Sequence, residues 1–385
     1  MLALLFFGLN ACVKDKVSVS TQYYTPEEFA ALSAVLDLPD EPIDYQVALP
    51  AHLNQQGLKA PVISNHKATL GRVLFYDTNL SKTKAVSCAS CHKQELAFSD
   101  DKAFSEGFDG RHTKRNSIAL AAAANFETSY NGGGDGFFFP TETVRFFWDE
   151  RAGSILEQSR MTIQDDIEMG MSMPEVVDRI KSLPHYQVLF SKAFGSTGIT
   201  EDHVLEALRE FLNSFVSVDS KFDRGLARVG DPFTDFDIFT SQENSGKRIY
   251  MDNCASCHSF NHSSAVENLA NNGLDLYYSD QGRAAITNNS QDEGVFKVPF
   301  LRNIALTGPY MHDGRFNTLE EVVAHYNSGI KNHPNLDFRL RDPFTLTGPK
   351  RMQLTPTQQQ ALIAFLHTLT DEEFVADVRF TNPFK

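Results

Sequence analysis

Cys88-Ala89-Ser90-Cys91-His92, and again Cys254-Ala255-Ser256-Cys257-His258, are the stretches on which the reading of this chain turns. In each, two thiols stand one helical turn apart and an imidazole follows directly. That spacing lets the thiols meet the two vinyl groups of one haem while the imidazole reaches the iron from the proximal side. With 5 cysteines and 12 histidines in 385 residues, one chance copy is rare and a second rarer still. A zinc ribbon from the same four thiols would need the pairs to meet across the long chain between them, and it would leave both histidines unexplained. The pairs therefore read as attachment points for two covalently bound haem c groups, with His92 and His258 as proximal iron ligands.

Outward from these sites the sequence reads helical, over Leu70–Phe75 before the first and Ser245–Tyr250 before the second, with aromatics to pack on each macrocycle. The length suffices for two domains with separate cores, and 42% hydrophobic with 22% charged residues is a globular composition. No stretch reaches the roughly 18 apolar residues of a spanning helix. A net charge of -14 argues against nucleic acid and favours a basic protein partner, such as a basic cytochrome. Thioether attachment of haem is made outside the cytoplasm, so the chain reads as exported and periplasmic.

The leftover cysteine, Cys12, follows an apolar run, Met1–Leu9, that suits a signal-peptide core. Cleavage before Cys12 and acylation of its thiol would give a lipid anchor. Asn10, and the lack of a Lys or Arg ahead of the run, depart from that pattern, and the competing reading is a free cysteine on an apolar arm. Residues 13–60, with Pro26, Pro39, Pro42, Pro50 and Pro61, read as a tether and wrapping extension.

Further motifs flank the two sites. The first half carries Leu70–Ser81, Ala97-Phe98-Ser99-Asp100, Arg115-Asn116, Phe147–Ala152, Glu157-Gln158, Ile163-Gln164 and Ile167-Glu168-Met169. The second half carries Phe296–Gly314, Thr318–Gly329 and Leu354–Leu369. On these residues the chain resembles the bacterial dihaem cytochrome c peroxidase family, which includes the MauG-type enzymes, over about residues 66–370. The resemblance implies an all-α fold of two cytochrome c-type domains, each binding one covalent haem c, packed across a shared interface. The expected divisions are a signal peptide at 1–11, a tether and extension at 12–65, an N-terminal peroxidatic domain at 66–220, a C-terminal electron-transfer domain at 221–370 and a tail at 371–385.

The activity implied is that of an oxidoreductase: reduction of hydrogen peroxide to water with electrons from a small donor protein, a cytochrome c or cupredoxin, entering at the C-terminal haem. Trp148, the sole tryptophan, matches the relay between the haems; read without the family, a tryptophan at the head of a helix is a core residue. Glu168 and Gln158 match the distal pocket of the peroxidatic haem, where a carboxyl takes a proton from one peroxide oxygen and returns it to the other. Asn116, Thr307 and Pro309 match a calcium site between the domains, offering one side-chain amide and two carbonyl oxygens. A homodimer is compatible with the family.

Met169, Met171 and Met173 read as packing residues rather than a soft-metal site, and His66, His185, His203, His262, His333 and His367 as structural. The connection between Asn116 and Trp148, with Asn131–Gly136 and Phe137–Phe139, reads as a loop near the first haem. His112 is the candidate to cap the first iron, but its neighbours Asp109–Arg115 lack the family's residues around such a ligand. As a surface residue it would leave an iron needing no reductive activation.

At the second haem, Thr318 and Glu321 form a capping box, and Leu319, Val322, Val323 and Tyr326 share one helix face, with His325 about 100° away. In the family, ordinary peroxidases place methionine at the position of Tyr326 and the MauG type places tyrosine. Tyr326 is thus the expected distal ligand, with Met311 the alternative. A phenolate would lower the potential of that haem relative to a His/Met site. Two rival functions stay open: a MauG-type high-valent haem oxidase acting on a protein substrate, and a non-enzymatic dihaem electron carrier.

Overall fold

A computed structural model of the chain describes residues 23–50, 53, 60–121, 145–260 and 269–385. Cys12 with its apolar run, the segment Asn131–Phe139 and His262 lie outside the described residues. The fold is mostly helical. The first half contributes α1 (Pro26–Ser33), α2 (Asn65–Tyr76), α3 (Cys88–Cys91), α4 (Ile155–Gln164), α5 (Met173–Ile180), α6 (Pro184–Phe194) and α7 (Glu201–Asn213). The second contributes α8 (Lys221–Val229), α9 (Ser241–Asn253), α10 (Ala255–His258), α11 (Ala284–Thr287), α12 (Leu319–Ala324), α13 (Pro356–His367) and α14 (Glu372–Ala376). Two short strands, β1 (Leu269–Ala270) and β2 (Phe296–Lys297), pair antiparallel. No helix among the described residues is long and apolar enough to cross a membrane.

Each half is built on one helix crossing, α2 over α7 and α9 over α13. The contact residue is a glycine in both. A Cβ on Gly71 would fall 2.0 Å from Ala207 O, and one on Gly246 would fall 1.8 Å from Ala361 O. The residue after each glycine is a buried cation anchored to backbone oxygens. Arg72 Nε donates to Thr381 O at 2.6 Å, whereas Lys247 Nζ donates to Pro232 O at 2.8 Å and to Thr234 O, 3.6 Å above the Phe236 ring. Reciprocal caps start α8 (Ser220 with Asp223), α9 (Thr240 with Glu243) and α13 (Thr355 with Gln358), so the second domain's frame begins at defined points.

The N-terminal core joins Phe75, Phe98, Phe211 and Phe215 to Phe374 and Phe380. The last two belong to the segment expected as a tail. It returns across the molecule instead: Tyr76 Oη donates to Phe380 O at 2.6 Å, Gln94 Nε2 donates to Asp377 O at 2.8 Å, and Leu36 bridges to Phe384. Two buried phenyl rings contribute roughly 1.5–3 kcal/mol each, which makes the C-terminus part of the first domain's core. Asp371 pins the crossover, accepting from Ser217 Oγ at 3.1 Å and Asp219 N at 3.0 Å, while its own N–H donates to Asn303 Oδ1 at 2.8 Å.

The crossing geometry predicts the effect of a single methyl group. Gly246→Ala should cost about 2 kcal/mol or more in chemical unfolding of the haem-loaded protein, because α9 and α13 must part. Gly348→Ala, with nothing within 4 Å of its Cβ, should stay within about 0.5 kcal/mol of the parent. Equal effects from the two would refute the crossing argument.

Candidate active site

α3 carries Cys88 and Cys91 on one turn, held at its start by reciprocal Ser87 and Ser90 contacts. His92 follows at its end, with Nδ1 2.8 Å from Phe98 O. A carbonyl only accepts, so Nδ1 carries the proton and Nε2 is left as the ligating nitrogen. Ala97 and Phe98 both have positive φ, 52° and 61°, which turns that carbonyl toward the imidazole. The second site repeats the device with another loop: His258 Nδ1 lies 3.0 Å from Pro299 O. Burial lowers the affinity of both imidazoles for a second proton, for His258 to about 4, so both are neutral at pH 7 as iron ligands must be. Donor chemistry and spacing at both sites fit a haem c.

Cys254, Cys257 and His258 open into a cavity whose other walls include Met311, Tyr326, Trp148, Phe296 and His312. Leu319, Val322, Val323 and Tyr326 all line it, as the periodicity of α12 implies. His325 is not among the residues that line it. The helix loosens into a π turn over His325–Gly329, and His325 is buried too, its Nε2 donating to Asn272 O at 3.1 Å. Met311 sits in the left-handed region at φ 76° and faces the same cavity.

Glu168 lies at the first site, where burial raises the Cys88 and Cys91 thiols and the nearby Glu168 carboxyl adds to the shift at both. The turn that holds it is defined by Asp165 Oδ1, which accepts from Ile167 N at 2.8 Å and Glu168 N at 3.1 Å. Phe108 N in turn donates to Glu168 O at 3.1 Å. Burial, and then the charge of Asp165, push the Glu168 carboxyl up to about 7, opposed by a hydrogen bond with Thr162. Gln158 Nε2 donates to the same Thr162 hydroxyl at 3.0 Å. Thr162 therefore joins the two residues picked from the sequence, and it was missed there. The available signal was its i, i+4 spacing from Gln158 on α4.

Trp148 is not at the head of a helix; α4 opens at Ile155, and Trp148 lies in a turn between Phe147 and Glu150, at φ 68° and 54°. Its indole N–H donates to Asn116 O at 2.8 Å, and Asn116 N donates to His312 O at 2.8 Å. Phe98 O, the acceptor for His92, also takes Leu120 N at 3.2 Å, so the 116–120 segment links the first imidazole's support to the wall of the second cavity. Ion pairs clamp this interface. Arg115 reaches Asp149 and Asp280, both at 2.6 Å, and Lys297 meets Glu150 at 2.9 Å with both side chains buried.

Of the remaining sequence candidates, Met169, Met171 and Met173 are buried in the first core. His112 is exposed, its Nδ1 3.3 Å from Phe104 O. Asn116 is buried, with Nδ2 donating to Lys102 O at 3.2 Å, and its backbone contact to His312 brings it to the loop that contains Thr307 and Pro309. No group of three or more His, Cys, Asp or Glu side chains gathers as a metal cluster among the described residues.

The Glu168 environment is measurable directly. The carboxyl infrared band that disappears in Glu168→Gln should titrate with a midpoint near pH 7. A midpoint in the ordinary carboxylate range would contradict the desolvation of this carboxyl.

Comparison with known proteins accords with this architecture. Residues 65–230 match the family described as di-haem cytochrome c peroxidase, and residues 244–370 match cytochrome c. The chain is 33% identical over 323 residues to the methylamine utilization protein MauG of Methylorubrum extorquens, covering 82% of this chain and 81% of that protein. It is 29% identical over 335 residues to the cytochrome c551 peroxidase of Pseudomonas aeruginosa, covering 82% of each. A crystal structure of a MauG-like protein associated with microbial copper homeostasis superposes with a TM-score of 0.66 at 30% identity, covering 90% of this chain and 98% of that one. The chain belongs to the di-haem cytochrome c peroxidase family, and its two cytochrome c domains carry two haem c groups.

Proposed function

We propose that this chain reduces hydrogen peroxide to water at the N-terminal haem, with electrons that a small donor protein delivers to the C-terminal haem. The observation that carries the reading is Glu168, held by Asp165 Oδ1 on its N–H and Phe108 N on its carbonyl, near enough to Cys88 and Cys91 for its charge to act on both thiols, with its carboxyl pushed up to about 7 by burial. The iron of the first haem, when bound, supplies the site at which peroxide is held and reduced. Glu168, ionised, takes the proton from the near peroxide oxygen and returns it to the departing one, which leaves as water rather than hydroxide. Thr162 accepts from Gln158 Nε2 at 3.0 Å and acts on the Glu168 carboxyl from the same side, which sets the two residues about one hydroxyl. Two electrons and two protons per peroxide complete the balance, and Trp148, bonded to Asn116 and facing the second cavity, relays the electrons.

His92 and His258 would hold the two irons from the proximal side, and His112, at the surface, is not placed to cap the first one; an uncapped first iron would need no prior reduction. A calcium ion would be held by Asn116 Oδ1 and the carbonyls of Thr307 and Pro309, hard oxygen donors suited to it. Export to the periplasm follows from covalent haem attachment, and Cys12 would add a lipid anchor.

Tyr326 favours a second reading. A phenolate in the position where ordinary peroxidases of the family carry methionine stabilises ferric iron. That suits a MauG-type oxidase acting on a protein substrate. The plain electron carrier is disfavoured by the Glu168 pocket, which a carrier does not need.

Steady-state peroxide consumption with reduced cytochrome c decides between them. Turnover should require the donor and rise with pH through about 7 as Glu168 ionises, and Glu168→Gln should lose at least about 10²-fold with both haems retained. Near-parental turnover in that variant would end the assignment, and peroxide reaction without donor-dependent turnover would favour the oxidase. Trp148→Phe, which loses the bond to Asn116 O, should slow reoxidation of the C-terminal haem by peroxide in single turnover while peroxide binding persists.

A further inference from the structure

Asn272 stands between the two candidate ligands of the second haem. Its Nδ2 lies 3.4 Å from Tyr326 Oη and 3.5 Å from Met311 Sδ, and all three residues line the cavity that opens from Cys254, Cys257 and His258. The amide nitrogen has only protons to offer, so the phenol oxygen accepts and needs no proton of its own for this contact. The placement is built rather than incidental. The backbone carbonyl of Asn272 takes His325 Nε2 at 3.1 Å, so side chain and main chain of one residue engage two successive residues of the π turn. The two contacts use different atoms of Asn272, the side-chain amide for Tyr326 and the main-chain carbonyl for His325, so the residue is held at both ends against the turn. Gly273, at φ 67°, donates its N–H to Asn271 Oδ1 at 2.9 Å, and its carbonyl takes Lys331 N at 2.7 Å, which fixes the segment against the far side of the same turn.

We propose that Asn272 is the positioning residue of the second haem: its amide donates to the Tyr326 oxygen, holds that oxygen toward the iron, and keeps the Met311 thioether beside it as a neighbour rather than a ligand. The inference rests on the reading of Tyr326 as the distal ligand. A donated hydrogen bond withdraws electron density from a ligating oxygen, so the amide makes the iron easier to reduce than an unsupported tyrosinate would. Asn272 therefore sets the potential of the haem that accepts electrons from the donor.

The test is spectroelectrochemical, on the protein carrying both haems, and needs no turnover. Asn272→Leu keeps the volume and removes the donor; Asn272→Ala serves as a second variant should the larger side chain disturb loading. Both should lower the potential of the C-terminal haem with Tyr326 present, and the shift should vanish in the Tyr326→Phe background, where no ligating oxygen remains to be supported. An unchanged potential in both variants, or an equal shift in both backgrounds, overturns the role of Asn272 while the tyrosine assignment stands. The weak red charge-transfer band of a sulfur-ligated ferric haem, present in the parent and lost in Met311→Ala but not in Tyr326→Phe, overturns the tyrosine reading and this proposal with it.

Discussion

Each imidazole that follows a Cys-x-x-Cys pair must present Nε2 to the iron, and it can do so only if Nδ1–H has a fixed acceptor. The acceptors are Phe98 O and Pro299 O, carbonyls of loops that no local rule places beside the histidine. Phe98 is also the ring stacked 3.9 Å on Phe215 in the first core, so the hydrophobic packing of the N-terminal domain and the orientation of its histidine are set by one residue. Pro299 follows β2, whose pairing with β1 and contact from Lys297 N to Trp148 O tie it to the domain interface. Misplacement of either loop would leave an imidazole free to rotate, at a typical cost of 10–100-fold in metal affinity.

The two halves meet through a loop that carries little regular structure. Residues 145–151 are held by Arg115 and Asp280 on one side and by Lys297 and Arg283 on the other, with Trp148 at the centre. Buried ion pairs such as Lys297 with Glu150 add little net stability, because desolvation offsets the attraction, but removing one partner typically costs 3–5 kcal/mol. Such a clamp therefore favours a single position of the indole.

The two pockets differ in kind. Near Cys88 and Cys91 the neighbouring groups are polar, Gln158 and Glu168 sharing Thr162, which suits handling of protons. Around Cys254 and Cys257 the walls are largely apolar, and the Asn272 amide meets both Tyr326 Oη and Met311 Sδ, which suits control of a ligand. One duplicated frame, with a glycine crossing and a histidine tied to a carbonyl, thus carries two pockets of different chemistry.

Much of this was legible in the chain itself. The thiol and imidazole spacing depends only on neighbours in sequence, as do the Thr318 and Glu321 capping box and the cavity-facing stripe Leu319, Val322, Val323 and Tyr326. These are local, and periodicity carries them. What needed the tertiary structure is non-local. The return of Phe374 and Phe380 into the first core, the turn rather than helix around Trp148, and the Thr162 link each join groups whose relation a one-dimensional pattern does not encode. The π turn at His325 hides for the same reason: the pattern of α12 runs on undisturbed, and contacts with the loop at Asn272 accompany the widening of the helix. Sequence determined which groups could do chemistry here, because covalent spacing is written in order. Tertiary structure decided which of them meet, because meeting depends on closing long loops, and that is settled by packing across the whole chain.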